Sequence, residues 1–192
     1  MILQRYFLVM GLPRSRTAWL ANFLTNGPAF CFHEPMVGCR SVANLRSKFE
    51  RMDYPVVGGA DTGAAAFADR IAEVFTSGIQ LIIVERDPDE CLASLRALGL
   101  LADVHTLAAG VDALEYVKCK FKPLVVSFDS LNDEHVGRGI WEHCIGEGFD
   151  VERFRQLCEM NIQVIPECLL RRIRDNWSAI AELTKERAHV AS

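Results

Sequence analysis

The stretch FLVMGLPRSRTAWLANFL, residues 7–24, decides the fold of this 192-residue chain. It begins with a run of apolar residues that is typical of a buried parallel strand, and the run ends at the turn Gly11-Leu12-Pro13. The residues after the turn follow the spacing of an amphipathic helix, because Trp19 and Phe23 are four positions apart. A buried strand followed directly by a helix is the repeating unit of an α/β fold.

The same alternation continues along the rest of the chain. Five apolar runs predict strands, at residues 6–10, 29–32, 56–57, 79–84 and 124–128. The remaining periodic segments predict helices, at residues 15–24, 41–52, 64–75, 88–98, 101–117, 132–145, 151–160 and 166–187. We therefore expect one α/β domain over residues 1–192, with a mostly parallel sheet between two helical layers.

Several local patterns give finer expectations. Asp87 is a candidate N-cap, and Pro88 suits the first position of the helix that follows it. The helix over residues 41–52 is polar, which predicts that it is exposed. The glycines in residues 58–63 predict a loop, and we expect the second strand to lie beside the first.

Composition and charge exclude several classes of protein. The chain has 21 Lys+Arg against 25 Asp+Glu and is 50% hydrophobic, values that argue against a nucleic-acid coat and against disorder. Its seven cysteines are an odd number without a CxxC pair, so we expect reduced thiols and no zinc ribbon. Gln4 and Arg5 interrupt the opening apolar run, and no stretch predicts a membrane helix. We expect a soluble, cytoplasmic protein without nucleic-acid or membrane partners.

The turn after the first strand carries the first candidate site. Arg14-Ser15-Arg16-Thr17 stands at a helix start, where unpaired amides, two guanidinium groups and two hydroxyls suit an anion such as phosphate. It is not a Walker A loop, because Arg16 occupies the sixth position from Gly11 and no Gly-Lys-Ser/Thr follows. The alternative is a helix start whose arginines are simply solvated.

The second candidate site lies in LIIVERDPDECLASL, residues 81–95. Arg86 stands at the carboxyl end of the strand, where parallel sheets bind ligands, and Ser94 follows eight residues later on the helix. Two such turns in one sheet predict a ligand with phosphate groups at two separated positions. In the alternative interpretation, Asp87 caps the helix and Arg86 pairs with a nearby carboxylate.

These motifs together resemble the P-loop-like sulfotransferases that use 3′-phosphoadenosine-5′-phosphosulfate (PAPS). The segment Pro13–Leu20 is similar to the loop that holds the 5′-phosphosulfate in that family. Arg86 and Ser94 have the family's spacing for the 3′-phosphate, and Leu124–Leu131 is similar to its later strand with a Tyr-Glu-Asp-Leu-like end. The resemblance implies a P-loop NTPase-like fold and transfer of a sulfuryl group from PAPS to a hydroxyl of a carbohydrate or small metabolite.

The resemblance also implies roles for individual residues. Cofactor-binding positions are Arg14, Ser15, Arg16, Thr17, Ala18, Arg86 and Ser94. Arg14 is the expected catalytic cation, at the oxygen that joins phosphorus to sulfur, and no metal is expected. The chain departs from the family at Arg16, where Gly is usual, and at Ala18, where a second Thr is common. Residues 171–177 form a charged segment in place of a glycine-rich one, and we interpret it first as a helix face.

A general base for the acceptor hydroxyl is sought at the end of the second strand, in Phe32-His33-Glu34-Pro35. By resemblance to carbohydrate-type members, Glu34 is the first choice, and His33 is the second because imidazole titrates near neutrality. In the alternative interpretation, His33 orders the turn and Glu34 caps a helix or pairs with an arginine.

Two other functions stay open at this point. One is a small-molecule kinase that uses ATP and Mg²⁺, although the missing Gly-Lys-Ser/Thr argues against it. The other is a nucleotide-binding module whose altered loop has lost turnover. The sequence does not indicate the acceptor or the oligomeric state.

Overall fold

A computed structural model describes residues 4–100, 103–160 and 162 of the chain. The described strands are β1 (Arg5–Gly11), β2 (Ala29–His33), β3 (Val56–Asp61), β4 (Gln80–Glu85) and β5 (Leu124–Ser127). The described α-helices are α1 (Thr17–Phe23), α2 (Val42–Glu50), α3 (Ala68–Val74), α4 (Pro88–Ala97), α5 (Val104–Phe121), α6 (Glu134–Cys144) and α7 (Val151–Glu159). Short 3₁₀ helices cover Ala64–Phe67 and Phe128–Asn132. The predicted helix at 166–187 and the charged segment 171–177 lie outside the described residues.

The five strands form one sheet in the order β2-β3-β1-β4-β5. Every neighbouring pair is parallel, as the near-continuous apolar runs predicted. The strand β1 lies at the centre, and four of its residues, Phe7–Met10, are fully buried. Because the strands are parallel, the turns after β1, β2, β3 and β4 all leave from the same edge of the sheet.

Helices cover both faces of the sheet, so the predicted three-layer α/β fold is confirmed. On one face, α1, α6 and α7 enclose an aromatic core that includes Trp19, Phe23 and Trp141. On the other face, Tyr6, Phe49 and Phe75 pack among residues of α2, α3, α4 and α5. No helix in the described ranges has both the length and the apolar character needed to cross a bilayer.

Side chains satisfy the helix ends that the sequence marks. The carboxylate of Asp87 accepts hydrogen bonds from the backbone N–H groups of Asp89 and Glu90, and Pro88 opens the helix, so the predicted cap is confirmed. At the carboxyl end of α1, the guanidinium of Arg153 on α7 donates to the carbonyls of Asn22, Phe23 and Thr25. These bonds fix α7 against the helix that follows the arginine-rich turn.

Two local predictions were wrong because packing overrides composition. The residues predicted as a loop extend β3 to Asp61, since Gly58 lies beneath the ring of Phe7 and Gly59 lies against Pro35. A glycine is required where an aromatic ring occupies the space of a Cβ atom. The helix α2 is not simply exposed, because its Val42, Leu45 and Phe49 side chains are buried.

The expected place of β2 was also wrong. It pairs with β3, which separates it from β1. Residues at the carboxyl end of β2 therefore lie one strand further from the arginine-rich turn than the sequence suggested.

Replacing Gly58 with Ala should destabilise the protein, because the new Cβ would lie 2.4 Å from ring atoms of buried Phe7. Overpacking of this kind costs about 1–3 kcal/mol of unfolding free energy. Gly139→Ala in α6 is the matched control: nothing lies within 4 Å of its added Cβ outside the helix's own backbone, so it should be neutral or stabilising. Urea unfolding of the two variants measures the difference, and equal stabilities would contradict the packing argument.

Candidate active site

The turn between β1 and α1 has an unusual backbone for its sequence. Arg14 and Arg16 both lie in the left-handed region, with φ angles of 72° and 60°. A residue other than glycine in this region lowers the stability of the fold by on the order of 1–3 kcal/mol. Arg16 therefore adopts a glycine-like backbone conformation at the position where Gly is usual in the family that the motif resembles. The side chain of Arg16, at the N-cap of α1, makes no capping hydrogen bond.

The hydroxyls of this turn are buried rather than solvated. Ser15 is fully buried and Thr17 is 7% exposed. The hydroxyl of Ser15 lies against the thiol of Cys91, a weak hydrogen-bonding group, and has no other partner in the described part of the chain. A buried hydroxyl without a strong partner, in a turn with two arginines, fits the binding of an anion.

The second predicted site meets the first at the ends of neighbouring strands. Because β4 pairs directly with β1, Arg86 reaches across and donates from Nη1 to the carbonyl oxygen of Arg14. The Arg14 Nε donates to the Ser94 hydroxyl at 3.0 Å. Arg14, Arg86 and Ser94, which the sequence placed in two separate candidate sites, thus form one cluster.

Arg86 is held on several sides. Its guanidinium carbon lies 4.0 Å from the ring centre of Phe128, and its Nε donates to Glu90 at 3.3 Å. The cap by Asp87 and the pair with a carboxylate, which the alternative interpretation required, are therefore both present. They coexist with the contact to the Arg14 carbonyl, so the pairing does not remove Arg86 from the site.

Arg14 lies close to a second cation in this cluster. Burial, and then the positive charge of Arg86, lower the pKa of the Arg14 guanidinium. Arginine nevertheless stays protonated in proteins, so both guanidinium groups carry positive charge at this end of the sheet.

The other two predicted loop positions contribute differently. The Arg16 side chain turns toward a groove of about 420 Å³, where its guanidinium lies over Trp19 at 4.3 Å and donates to Asn132 at 2.6 Å. Ala18 lies in the first turn of α1, its carbonyl accepts from the Asn22 side chain, and its methyl side chain has no hydrogen-bonding group. Ala18 therefore supplies no side-chain contact to a phosphate.

The candidate base Glu34 lies at the end of β2 within a hydrogen-bonded network. Its Oε1 accepts from the Thr17 hydroxyl at 3.3 Å. Its Oε2 accepts from the backbone N–H and the hydroxyl of Thr62, at 3.2 and 3.1 Å. His33 Nε2 lies 3.3 Å from the Thr17 hydroxyl and 3.7 Å from Glu34 Oε1. The structure thus brings both candidate bases to Thr17, the first residue of α1.

The pKa values of the two candidates move in opposite directions. Burial, together with the nearby charge of Asp61, raises the pKa of Glu34 from 4.5 to about 7 despite the hydrogen bonds from Thr62 and Thr17. Burial lowers the pKa of His33 from 6.5, against the charge of Asp61. Within the described ranges, the side-chain partners of Glu34 are Thr17, Thr62 and His33, and none of them is an arginine.

Asp61 and Thr62 are site residues that the sequence analysis missed. Both were assigned to a glycine-rich loop, which concealed the fact that β3 reaches Asp61. The sequence did contain a signal for the longer strand: the apolar pair Val56-Val57 is followed by small residues and then by a carboxylate. Small residues are also found in a buried strand where neighbouring side chains pack against its backbone. Within the described residues, no group of three or more His, Cys, Asp or Glu is arranged to hold a metal ion.

Comparisons with solved structures locate this fold among known proteins. It is similar to mouse sulfotransferase SULT7A1 complexed with PAP, with a TM-score of 0.54 and 11% sequence identity. That match covers 81% of this chain but only 65% of the sulfotransferase. It is also similar to a shikimate kinase from Bacteroides thetaiotaomicron, with a TM-score of 0.42, 16% identity and coverage of 81% and 99%.

No protein-family model matches the chain, and no curated protein does. At 11% identity the likeness to the sulfotransferase shows the fold alone. The P-loop NTPase-like α/β architecture predicted from the sequence is thereby confirmed.

Replacing Glu34 with Gln should change stability in a pH-dependent way. The pKa of Glu34 in the fold lies above its ordinary value, so its contribution to stability is complete below about pH 4.5 and is lost as the pH rises through about 7. A glutamine side chain cannot ionise, so the variant should gain stability relative to the wild type at alkaline pH, by at most about 3 kcal/mol.

Urea unfolding at about pH 4.5 and pH 8.5 measures this difference. Glu142→Gln, a change at an exposed residue of α6, is the control and should show no such dependence. A stability difference between Glu34→Gln and wild type that stays constant with pH would contradict the raised pKa.

Proposed function

We propose that this protein is a sulfotransferase that moves a sulfuryl group from PAPS to a hydroxyl of a carbohydrate or small-molecule acceptor. One observation carries the proposal: Arg14, Arg86 and Ser94 meet at the ends of β1 and β4. A doubly phosphorylated nucleotide is the ligand class that matches two adjacent arginines and a buried turn with hydroxyls. The resemblance of the motifs supports the same donor.

The chain's own residues divide the donor between two subsites. Ser15, Thr17 and Arg14 bind the 5′-phosphosulfate at the turn after β1. Arg86 and Ser94 bind the 3′-phosphate at the end of β4. The groove beside Arg16 is also lined by Phe128, the ring on which Arg86 stacks. In this proposal the groove accommodates the adenine ring of the donor.

The reaction is an in-line transfer of a sulfuryl group. The acceptor oxygen forms a bond to sulfur, and the bond from sulfur to the bridging oxygen breaks, which leaves a sulfate ester and adenosine 3′,5′-bisphosphate. Negative charge develops on the bridging oxygen, and Arg14 stabilises it by charge and hydrogen bonding without donating its proton. The acceptor hydroxyl gives its proton to a general base.

Glu34 is the better base of the two candidates. A group works best as a base when its pKa lies near the working pH, and burial raises the pKa of Glu34 to about 7. The Thr17 hydroxyl links its carboxylate to the same turn that binds the phosphosulfate. His33 lies close enough to accept hydrogen bonds in the network but has its pKa lowered by burial.

Thermal shift with adenosine 3′,5′-bisphosphate tests the donor subsites. At a concentration about 100 times its Kd, a ligand that binds only the folded state adds about 2.7 kcal/mol, which for a chain of this size raises Tm by about 5–10 °C. We expect this shift without metal, its loss in Arg86→Ala and a smaller shift in Arg14→Ala. Arg70→Ala, at an exposed site on α3, should respond like the wild type.

The same experiment with ADP and ATP, with and without Mg²⁺, separates the alternatives. Stabilisation by ATP with Mg²⁺ that exceeds the bisphosphate effect would favour a kinase and contradict the proposal. A panel of hydroxyl acceptors then tests turnover. If the protein binds the bisphosphate but forms none of it from PAPS with any acceptor, the result would favour the inactive nucleotide-binding module.

The pH dependence of turnover identifies the base. If Glu34 is the base, kcat should rise with pH to a plateau with a midpoint near 7, because only the ionised carboxylate accepts a proton. If His33 is the base, the midpoint should lie below 6.5. Glu34→Gln should abolish turnover while the affinity for bisphosphate stays nearly unchanged, and equal loss of both would show that Glu34 only supports the fold.

A further inference from the structure

Asp61 is a buried acid that the mechanism above does not use. It is 1% exposed at the end of β3 and is the one buried carboxylate among the described residues. It forms no ion pair in the described part of the chain, although an unpaired buried charge is costly. Two strong hydrogen bonds to backbone amides offset this cost.

Those two bonds join separate segments of the chain. Asp61 Oδ2 accepts from the N–H of Met36 at 2.8 Å, and Oδ1 accepts from the N–H of Gly63 at 2.8 Å. Met36 belongs to the turn after β2, whereas Gly63 belongs to the turn after β3. One carboxylate therefore holds both turns at fixed positions beside each other.

Both turns that Asp61 holds also position Glu34. Met36 follows Glu34 by two residues, and the backbone of Glu34 lies in the left-handed region with a φ of 49°. Gly63 follows Thr62, whose N–H and hydroxyl bind Glu34 Oε2. The bonds of Asp61 thus restrain the Glu34 carboxylate through its own backbone and through its principal partner.

We propose that Asp61 is the positioning residue of Glu34: its bonds to Met36 and Gly63 fix the Glu34 carboxylate toward Thr17, and its own carboxylate places a second negative charge beside Glu34. The role of Glu34 in turnover rests on the proposed function. The hydrogen bonds of Asp61 do not, so the two are tested separately.

The other groups around Glu34 do not supply this charge. His33 contacts Oε1 from β2, and its pKa is lowered by burial. Thr17 and Thr62 donate uncharged hydrogen bonds, which favour the ionised form of Glu34. From α2, Lys48 reaches the carbonyl of Pro35 at 3.2 Å, and its positive charge also favours ionisation. Burial is the larger cause that opposes ionisation of Glu34, and Asp61 is the charged group among these that adds to it.

A carboxyl titration by NMR tests the proposal without an acceptor. In protein labelled with ¹³C at Asp and Glu carboxyls, Glu34→Gln identifies the Glu34 resonance, which should titrate near pH 7. In Asp61→Asn the midpoint should fall by about one pH unit or more. Asp53→Asn, at an exposed position, should leave it unchanged, and an unchanged midpoint in Asp61→Asn overturns the proposal.

The wild-type titration decides the matter if Asp61→Asn does not fold. The chemical shift of a carboxyl responds to a change of charge beside it, so the Asp61 resonance, assigned through bonds, should move at the pH where Glu34 ionises. An Asp61 resonance that does not respond at that pH would show that the groups are independent and would overturn the proposal.

Kinetics then distinguish the proposal from the proposed function. With an active acceptor, Asp61→Asn should lower kcat by about 10- to 100-fold and move the acid limb of the pH profile to lower pH. The affinity for adenosine 3′,5′-bisphosphate should change by less than about twofold, since the variant residue touches neither arginine. An unmoved acid limb overturns the positioning role, whereas a wild type that binds no bisphosphate overturns the proposed function and leaves the titration result intact.

Discussion

The whole site depends on the burial of β1 at the centre of the sheet. Because β1 pairs with β3 on one side and β4 on the other, the turn that follows it lies between the ends of two neighbours. Gly11 tightens this arrangement, since a Cβ there would lie 3.1 Å from both the Ser15 side chain and the Val84 carbonyl. The turn is therefore fixed against β4, and Arg86 reaches the Arg14 carbonyl from the next strand. Apolar burial thus sets the geometry of the polar groups.

Backbone strain concentrates where those polar groups meet. Four non-glycine residues in the described part of the chain have positive φ, and Arg14, Arg16 and Glu34 are three of them. Each conformation costs free energy and persists only because its surroundings hold it. Arg86 binds the Arg14 carbonyl, Trp19 and Asn132 hold the Arg16 side chain, and Thr17 and Thr62 hold the Glu34 carboxylate. Such strain commonly marks functional positions. Here Arg14 and Arg16 lie in the turn between β1 and α1, and Glu34 is bonded to Thr17 directly after it.

The sequence predicted what depends on local patterns and missed what depends on neighbours. Apolar runs identified β1 and β4, and the Asp87-Pro88 pair identified the start of α4. The order of the strands is not a local property, so β2 was expected beside β1. Gly58 reads as a loop residue until Phe7 is known to cover it from the next strand. That one error also hid Asp61, because a carboxylate in a loop is usually solvated, whereas at the end of a central strand it is buried.

The interposed β3 has a chemical consequence for the site. Cationic side chains gather at the β1 and β4 end, and the carboxylates of Glu34 and Asp61 gather at the β2 and β3 end. An arginine within about 4–6 Å of Glu34 would favour its ionised form and lower its pKa by about 1–3 units, which would make it a poor base at neutral pH. The strand order instead places Glu34 near the buried carboxylate of Asp61, and burial together with that charge raises its pKa to about 7. Thr17, at the first turn of α1, lies between the two ends, and its uncharged hydroxyl links the Glu34 carboxylate to the turn that carries Arg14 and Arg16.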